Sequence, residues 1–152
     1  MGRPDYPEVW TGMDRAALDP LVVGRVIGDV LDMFVPAAEL AVQYGGKEIG
    51  NGSEVKPSSA AEPPRVHIRG SANNYYTLEM MPYMGPQPPT GIHRYVFAAF
   101  RQHGVMETVA RRPVERGHFN TRRFASENEL GLPAAALYFN SQKQPAAGNK
   151  KR

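Results

Sequence analysis

The residues best suited to chemistry lie in one short stretch, Gly85-Pro86-Gln87-Pro88-Pro89-Thr90-Gly91-Ile92-His93-Arg94-Tyr95. Residues 82–91 hold four prolines and two glycines. Each proline locks its φ, so this loop has a defined shape. It delivers an imidazole and a guanidinium to the start of an apolar strand. With loop N–H groups, His93 and Arg94 could bind an oxyanion. The plainer alternative is a turn whose His93 caps backbone groups and whose Arg94 pairs with a surface acid. The residues alone leave both readings open.

Other catalytic signatures are missing. No serine sits in a G-x-S-x-G turn, and no phosphate-binding or dinucleotide-binding glycine motif occurs. The chain has no cysteine, which excludes disulfides, zinc–thiolate sites and thiol nucleophiles. His67, His93, His103 and His118 are not at metal-ligand spacing, so no metal or other cofactor is expected. A hydrolase using His93 is an alternative function, but it lacks a nucleophile or partner carboxylate at readable spacing.

With 152 residues the chain is expected to form one domain. Glycine and proline number 15 and 14, high but short of a disordered composition. Charge is uneven. Residues 1–76 carry 7 basic and 10 acidic side chains, whereas residues 77–152 carry 11 and 5. A basic half can meet an acidic partner, a phosphate or a nucleic acid, or can simply be a solvated face. Arg111, Arg112, Arg116, Arg122 and Arg123 form the candidate partner-binding face. They lack interleaved aromatics, so direct nucleic-acid binding is not expected. The longest apolar run has six residues, at positions 95–100, and cannot span a membrane. Asn51-Gly52-Ser53 is a formal glycosylation sequon, more simply read as a turn.

These residues need elements to position them. Residues 1–18 lack any periodicity and are expected to form a flexible leader, followed by a domain over 19–145 and a basic tail over 146–152. Asp19 and Pro20 predict a helix start. Val23, Val26, Ile27, Val30, Leu31 and Phe34 then form one apolar stripe, up to Pro36. Alternation at Leu40, Val42 and Tyr44 predicts a strand, as does that at Val66 and Ile68, and at Tyr76, Leu78 and Met80. Residues 92–101 are apolar on both faces, which predicts a central strand. Asn120 predicts the N-cap of a short helix that Gly131 and Pro133 end, and Ala135, Leu137 and Phe139 a last strand.

Two stretches, Asp19-Pro20-Leu21-Val22-Val23-Gly24-Arg25-Val26-Ile27-Gly28-Asp29-Val30 and Tyr83-Met84-Gly85-Pro86-Gln87-Pro88-Pro89 with Gly91-Ile92-His93-Arg94-Tyr95, carry a family likeness. On them the chain resembles the phosphatidylethanolamine-binding protein family in its plant branch, near the mother-of-flowering-locus-T type. The resemblance rests also on Phe119-Asn120-Thr121-Arg122 and on Gly131-Leu132-Pro133-Ala134-Ala135-Ala136-Leu137-Tyr138-Phe139-Asn140. It covers residues 19–145. It implies a mainly β fold, a β-sandwich with a few short helices and a surface anion pocket. It also implies a non-enzymatic signalling protein of flowering or seed germination, located in cytoplasm and nucleus, that works through protein partners such as transcription factors.

The chain departs from the family pattern between Met80 and Met81. After Tyr75-Tyr76-Thr77-Leu78 the family continues into a D-P-D-x-P loop and a strand carrying L-H-W, and here that block is absent. The resemblance places the pocket's acidic residue and second histidine in that block. Gly85, Pro86, His93 and Tyr95 are then the remnant of the pocket, which would hold a phosphate or phospholipid head group weakly at best. The positions matching a 14-3-3 contact, Asn73 and Val105, carry no charge, so 14-3-3 binding is not expected. A non-functional or dominant-interfering truncated isoform is the alternative.

Overall fold

The computed structural model describes residues 12–70, 75–77, 91–102 and 120–144. In chain order they form helices α1 (Gly12–Val23) and α2 (Val26–Asp29), then strands β1 (Glu39–Tyr44), β2 (Lys47–Ile49), β3 (Ser53–Glu54), β4 (Arg65–Arg69), β5 (Tyr75–Thr77) and β6 (Ile92–Gln102). Helix α3 (Thr121–Glu127) and strand β7 (Ala135–Gln142) complete them. A three-stranded sheet runs β2-β1-β4 and a four-stranded sheet runs β3-β7-β6-β5. All neighbours are antiparallel except β3 and β7.

Strand β6 holds the interior place that its two apolar faces predict. Side chains alternate across a strand, and the two sets go to different cores. Tyr95, Phe97 and Ala99 join Leu137 and Phe139 of β7 against Leu40, Val42 and Tyr44 of β1 and Ile49 of β2. This core between the sheets makes a β-sandwich. Phe139, 1% exposed, is its centre. Tyr95 stacks on it at 5.3 Å, and Tyr44 meets it edge-on at 5.7 Å, geometries that suit the ring quadrupoles. Val96, Ala98, Ala136 and Tyr138 point the other way, onto Leu18, Leu21, Val26, Leu31 and Phe34. Helix α3 covers the same sheet through Phe124 and Ala125, which pack with Phe100 and Leu130. The N-terminal segment and α3 thus form a third layer.

Turn chemistry sets the register. β1 and β2 are joined by Gly45 and Gly46 at φ 58° and 87°, with Tyr44 opposite Lys47. Two positive φ values in a two-residue hairpin suit glycine and match the strand twist. At α3 the Asn120 side chain accepts the Arg123 backbone N–H at 3.0 Å, the expected N-cap.

The N-terminal segment corrects the sequence expectation. Residues 12–18 are helical, not a flexible leader, and Asp19 and Pro20 lie inside α1 instead of starting it. An interior proline costs about 3 kcal/mol. Leu18 and Leu21, each 1% exposed, offset it, since full burial of one leucine contributes about 1.5–3 kcal/mol. The expected continuous stripe to Phe34 is also broken. Arg25 has φ 61°, Ile27 has ψ 120° and Gly28 has φ 114°, so α2 is one kinked turn. Val23 leaves the stripe and is 82% exposed. Residues 1–11, the strand expected through Leu78 and Met80, the junction with Met81 and the basic tail lie outside the described residues.

Candidate functional site

The end of the sandwich where β6 begins and β7 finishes carries the candidate site. His93 of β6 stands opposite Ser141 of β7, two rungs beyond the Tyr95–Phe139 pair and so on the same face. Directly opposed residues share a sheet face, with Cβ atoms about 4.5–5.5 Å apart. His93 and Ser141 therefore lie on the sandwich side, at its rim. His93 is exposed, and Ser141 is fully buried. Among the described residues the Ser141 Oγ has no hydrogen-bond partner, an uncommon state for a buried hydroxyl. Beside it the Val55 N–H donates to the Asn140 carbonyl at 2.8 Å, and the Ser58 N–H donates to Gln144 Oε1 at 2.8 Å. The loop after β3 is thereby drawn over the end of β7.

This pairing puts an imidazole and a hydroxyl on one face, but only the exposed imidazole can donate to an incoming anionic oxygen. It is a poor place for covalent catalysis, because nothing can reach a serine with no exposed surface. Tyr95 contributes its ring to the core, stacked on Phe139. Gly85 and Pro86, the other residues expected here, lie outside the described residues.

Arg94 is not part of this site. As the neighbour of His93 on a strand, it points to the opposite face. Its Nη1 donates to the Gly24 carbonyl at 2.8 Å, and its Nη2 pairs with Asp29 Oδ2 at 2.9 Å. Of the two open readings, pairing with an acid is the one its guanidinium follows, and the joint His93–Arg94 oxyanion site is corrected.

The arginine face divides similarly. Arg122 Nε donates to Asp32 Oδ1 at 2.8 Å, and Nη2 donates to the Gly28 carbonyl at 2.6 Å. That guanidinium ties α3 to the N-terminal segment. Arg123 pairs with Glu127 one turn on, at 2.9 Å, and is 78% exposed. Arg111, Arg112, Arg116, Asn73 and Val105 lie outside the described residues. The Arg122–Asp32 pair also edges a cavity of about 270 Å³ floored by Leu31, Phe100 and Ala125, with Leu132 at its mouth. Sequence reading missed this cavity. Its walls come from three distant segments, and no local spacing signals it. Among the described residues no cluster of three His, Cys, Asp or Glu could hold a metal ion, and no helix is long and apolar enough to cross a membrane.

Comparison with known proteins adds to this geometry. The family signature described as phosphatidylethanolamine-binding protein matches residues 37–140. The chain is 40% identical, over 172 aligned positions, to Protein MOTHER of FT and TFL1 homolog 2 of Oryza sativa subsp. japonica, covering 89% of this chain and 98% of the relative. It is 37% identical to Protein TERMINAL FLOWER 1 of Arabidopsis thaliana, covering 89% and 97%. Among solved structures, a carboxypeptidase Y inhibitor complexed with its cognate proteinase superposes with a TM-score of 0.69. That match covers 88% of this chain and 98% of the other at 20% identity, which speaks to the fold alone. Since 89% of 152 residues is about 135, about 37 of the 172 positions aligned with the rice relative have no counterpart here.

Proposed function

We infer the function from one premise: the chain belongs to the phosphatidylethanolamine-binding protein family. On that premise it is a plant regulatory protein of flowering or seed germination that acts by binding protein partners and turns over no substrate. The observation that carries this reading is the 40% identity to the rice relative across 98% of that relative's length. The name of the second relative, TERMINAL FLOWER 1, points to the same class of role. The buried Ser141 beside His93 supports binding over hydrolysis.

His93 and Tyr95, with Gly85 and Pro86, are then the remnant of an anion pocket that takes a phosphate or phospholipid head group weakly. The partner face comprises Arg111, Arg112, Arg116 and Arg123, while Arg122 serves it by anchoring α3. A planar guanidinium fork suits carboxylate or phosphate contacts on a partner. Neither 14-3-3 nor nucleic acid is a direct partner, and the protein acts in cytoplasm and nucleus.

The test is expression of the chain in plants, with flowering time and germination scored. Beside it runs a form with Arg111, Arg112, Arg116 and Arg123 reversed to Glu. A shift in either trait that the reversed form loses is expected. No shift, or recovery of 14-3-3 with the purified chain, overturns the reading.

The shortfall of about 37 aligned positions favours one second reading, a dominant-interfering product. We place the missing block between Met80 and Met81. Under this reading the chain's phenotype mimics loss of its full-length relative and disappears when that relative is absent.

A further inference from the structure

The Asn51-Gly52 pair before β3 is the single Asn-Gly step in the sequence. Such a step is chemically labile. The backbone nitrogen of the glycine attacks the preceding Asn Cγ, and glycine has no side chain to hinder it. The N–Cγ bond forms and the Cγ–Nδ2 bond breaks. Ammonia leaves with the proton given up by the glycine nitrogen. Water then opens the cyclic imide at either carbonyl, to aspartate or to isoaspartate.

Both reacting groups are held here by one residue of an interior strand. The Gly52 N–H donates to the Tyr138 carbonyl at 3.1 Å, and Asn51 Oδ1 accepts the Tyr138 N–H at 3.0 Å. The Asn51 side chain acts as an extra rung that continues the β3–β7 pairing of Ser53 with Phe139. Attack requires the Gly52 nitrogen to lose its bonded proton and Asn51 Cγ to swing off Tyr138. Neither is possible while the rung stands. The rung is nonetheless at the edge of its sheet. β3 has two residues, and short edge pairings open far more often than the whole fold does.

We propose that Asn51 is a guarded deamidation site. Native pairing with Tyr138 suppresses the reaction, each local opening of β3 from β7 permits it, and the isoaspartate product cannot rebuild the rung. Isoaspartate adds a methylene to the main chain and shortens the side chain by one carbon. Its oxygen then falls short of the Tyr138 N–H. The modification converts a transient opening into a lasting loss of the β3 edge.

The test incubates the full chain in mildly alkaline buffer, native and across a urea series, beside a synthetic peptide of residues 49–54. Conversion at Asn51 is read by peptide mass and by isoaspartate-directed methyl transfer. In the native chain it is expected to be at least about tenfold slower than in the peptide, with the gap closing as urea unfolds the protein. Leu137→Ala, which loosens β7 without touching Asn51, narrows the gap in buffer, and the urea series on the unaltered chain stands if that variant does not fold. Native conversion at the peptide rate overturns the proposal. So does an isoaspartate-containing fraction that unfolds at the same urea concentration as unmodified protein.

Discussion

Arg122 and Asp32 meet at 2.8 Å although 90 residues separate them in sequence, and the same guanidinium donates to the Gly28 carbonyl. One side chain on α3 thereby fastens the kinked segment after α1. The ion pair is half-exposed, with side-chain exposures of 41% and 61%, so by itself it contributes only about 0–1 kcal/mol. The backbone carbonyl adds a charge-assisted bond of about 1.5–3 kcal/mol. Arg122→Ala is therefore expected to cost about 2 kcal/mol, more than Asp32→Asn at about 0–1 kcal/mol. Arg123→Ala should stay within about 0.5 kcal/mol. Urea unfolding of the three variants checks the order; equal losses from Arg122→Ala and Arg123→Ala would contradict it.

Gly24 is needed for closeness. A Cβ there would lie 2.5 Å from Tyr138 Cζ and collide with its hydroxyl. Tyr138 is 7% exposed and packed among Leu18, Leu21 and Phe34, so it has little room to yield. Gly24→Ala should destabilise by about 1–3 kcal/mol, as overpacking does. The double variant with Tyr138→Phe should recover part of the loss in thermal melts, because the colliding oxygen is gone. Equal melting temperatures for Gly24→Ala and the unaltered chain would show that the ring moves freely.

Ser141 carries a buried hydroxyl with no partner among the described residues. Such a group costs about 1–3 kcal/mol of desolvation, so Ser141→Ala is expected to be neutral or stabilising by about 1 kcal/mol. His93→Ala should abolish the weak phosphate binding proposed above. Chemical unfolding of Ser141→Ala, and phosphate titration of the unaltered chain and of His93→Ala followed at the backbone amide resonances of β6, measure both. Destabilisation by Ser141→Ala, or tight phosphate binding indifferent to His93→Ala, would be the contrary result.

Restoring the missing block should stabilise the fold. Among the described residues β4 ends one sheet and β5 the other, and unpaired edges leave backbone groups and apolar rims without partners. Val66 and Ile68 of β4 are only half-buried. Inserting the corresponding residues of the rice relative after Met80 should raise the melting temperature by about 2–4 °C for each kcal/mol gained. The insertion should bury Val66 and Ile68 further, visible as slower amide exchange in β4. A melting temperature that falls or stays level would place the block elsewhere or make it dispensable.

The sandwich was legible because its signals are local. Period-two alternation in β1, β4, β6 and β7 announces strands whatever their partners, and two apolar faces at residues 95–100 announce an interior place. Asn120 capped α3 as its residue type requires. β2 and β3, of three and two residues, are too short for alternation to register, and they exist because β1 and β7 offer them hydrogen bonds.

What the sequence determined by itself is the longer strands, the family and the candidate His93, each carried by a motif whose residues lie close together along the chain. Tertiary structure alone decided the rest. It drew α1 back to Gly12, because burying Leu18 and Leu21 outweighs the local Asp19-Pro20 signal. It split His93 from Arg94 onto opposite faces, sending one to Ser141 and the other to Asp29. It brought Arg122 to Asp32 and Asn51 to Tyr138, pairs 90 and 87 residues apart. Such contacts depend on which surfaces the folded sheets bring together, and no spacing along the chain encodes that distance.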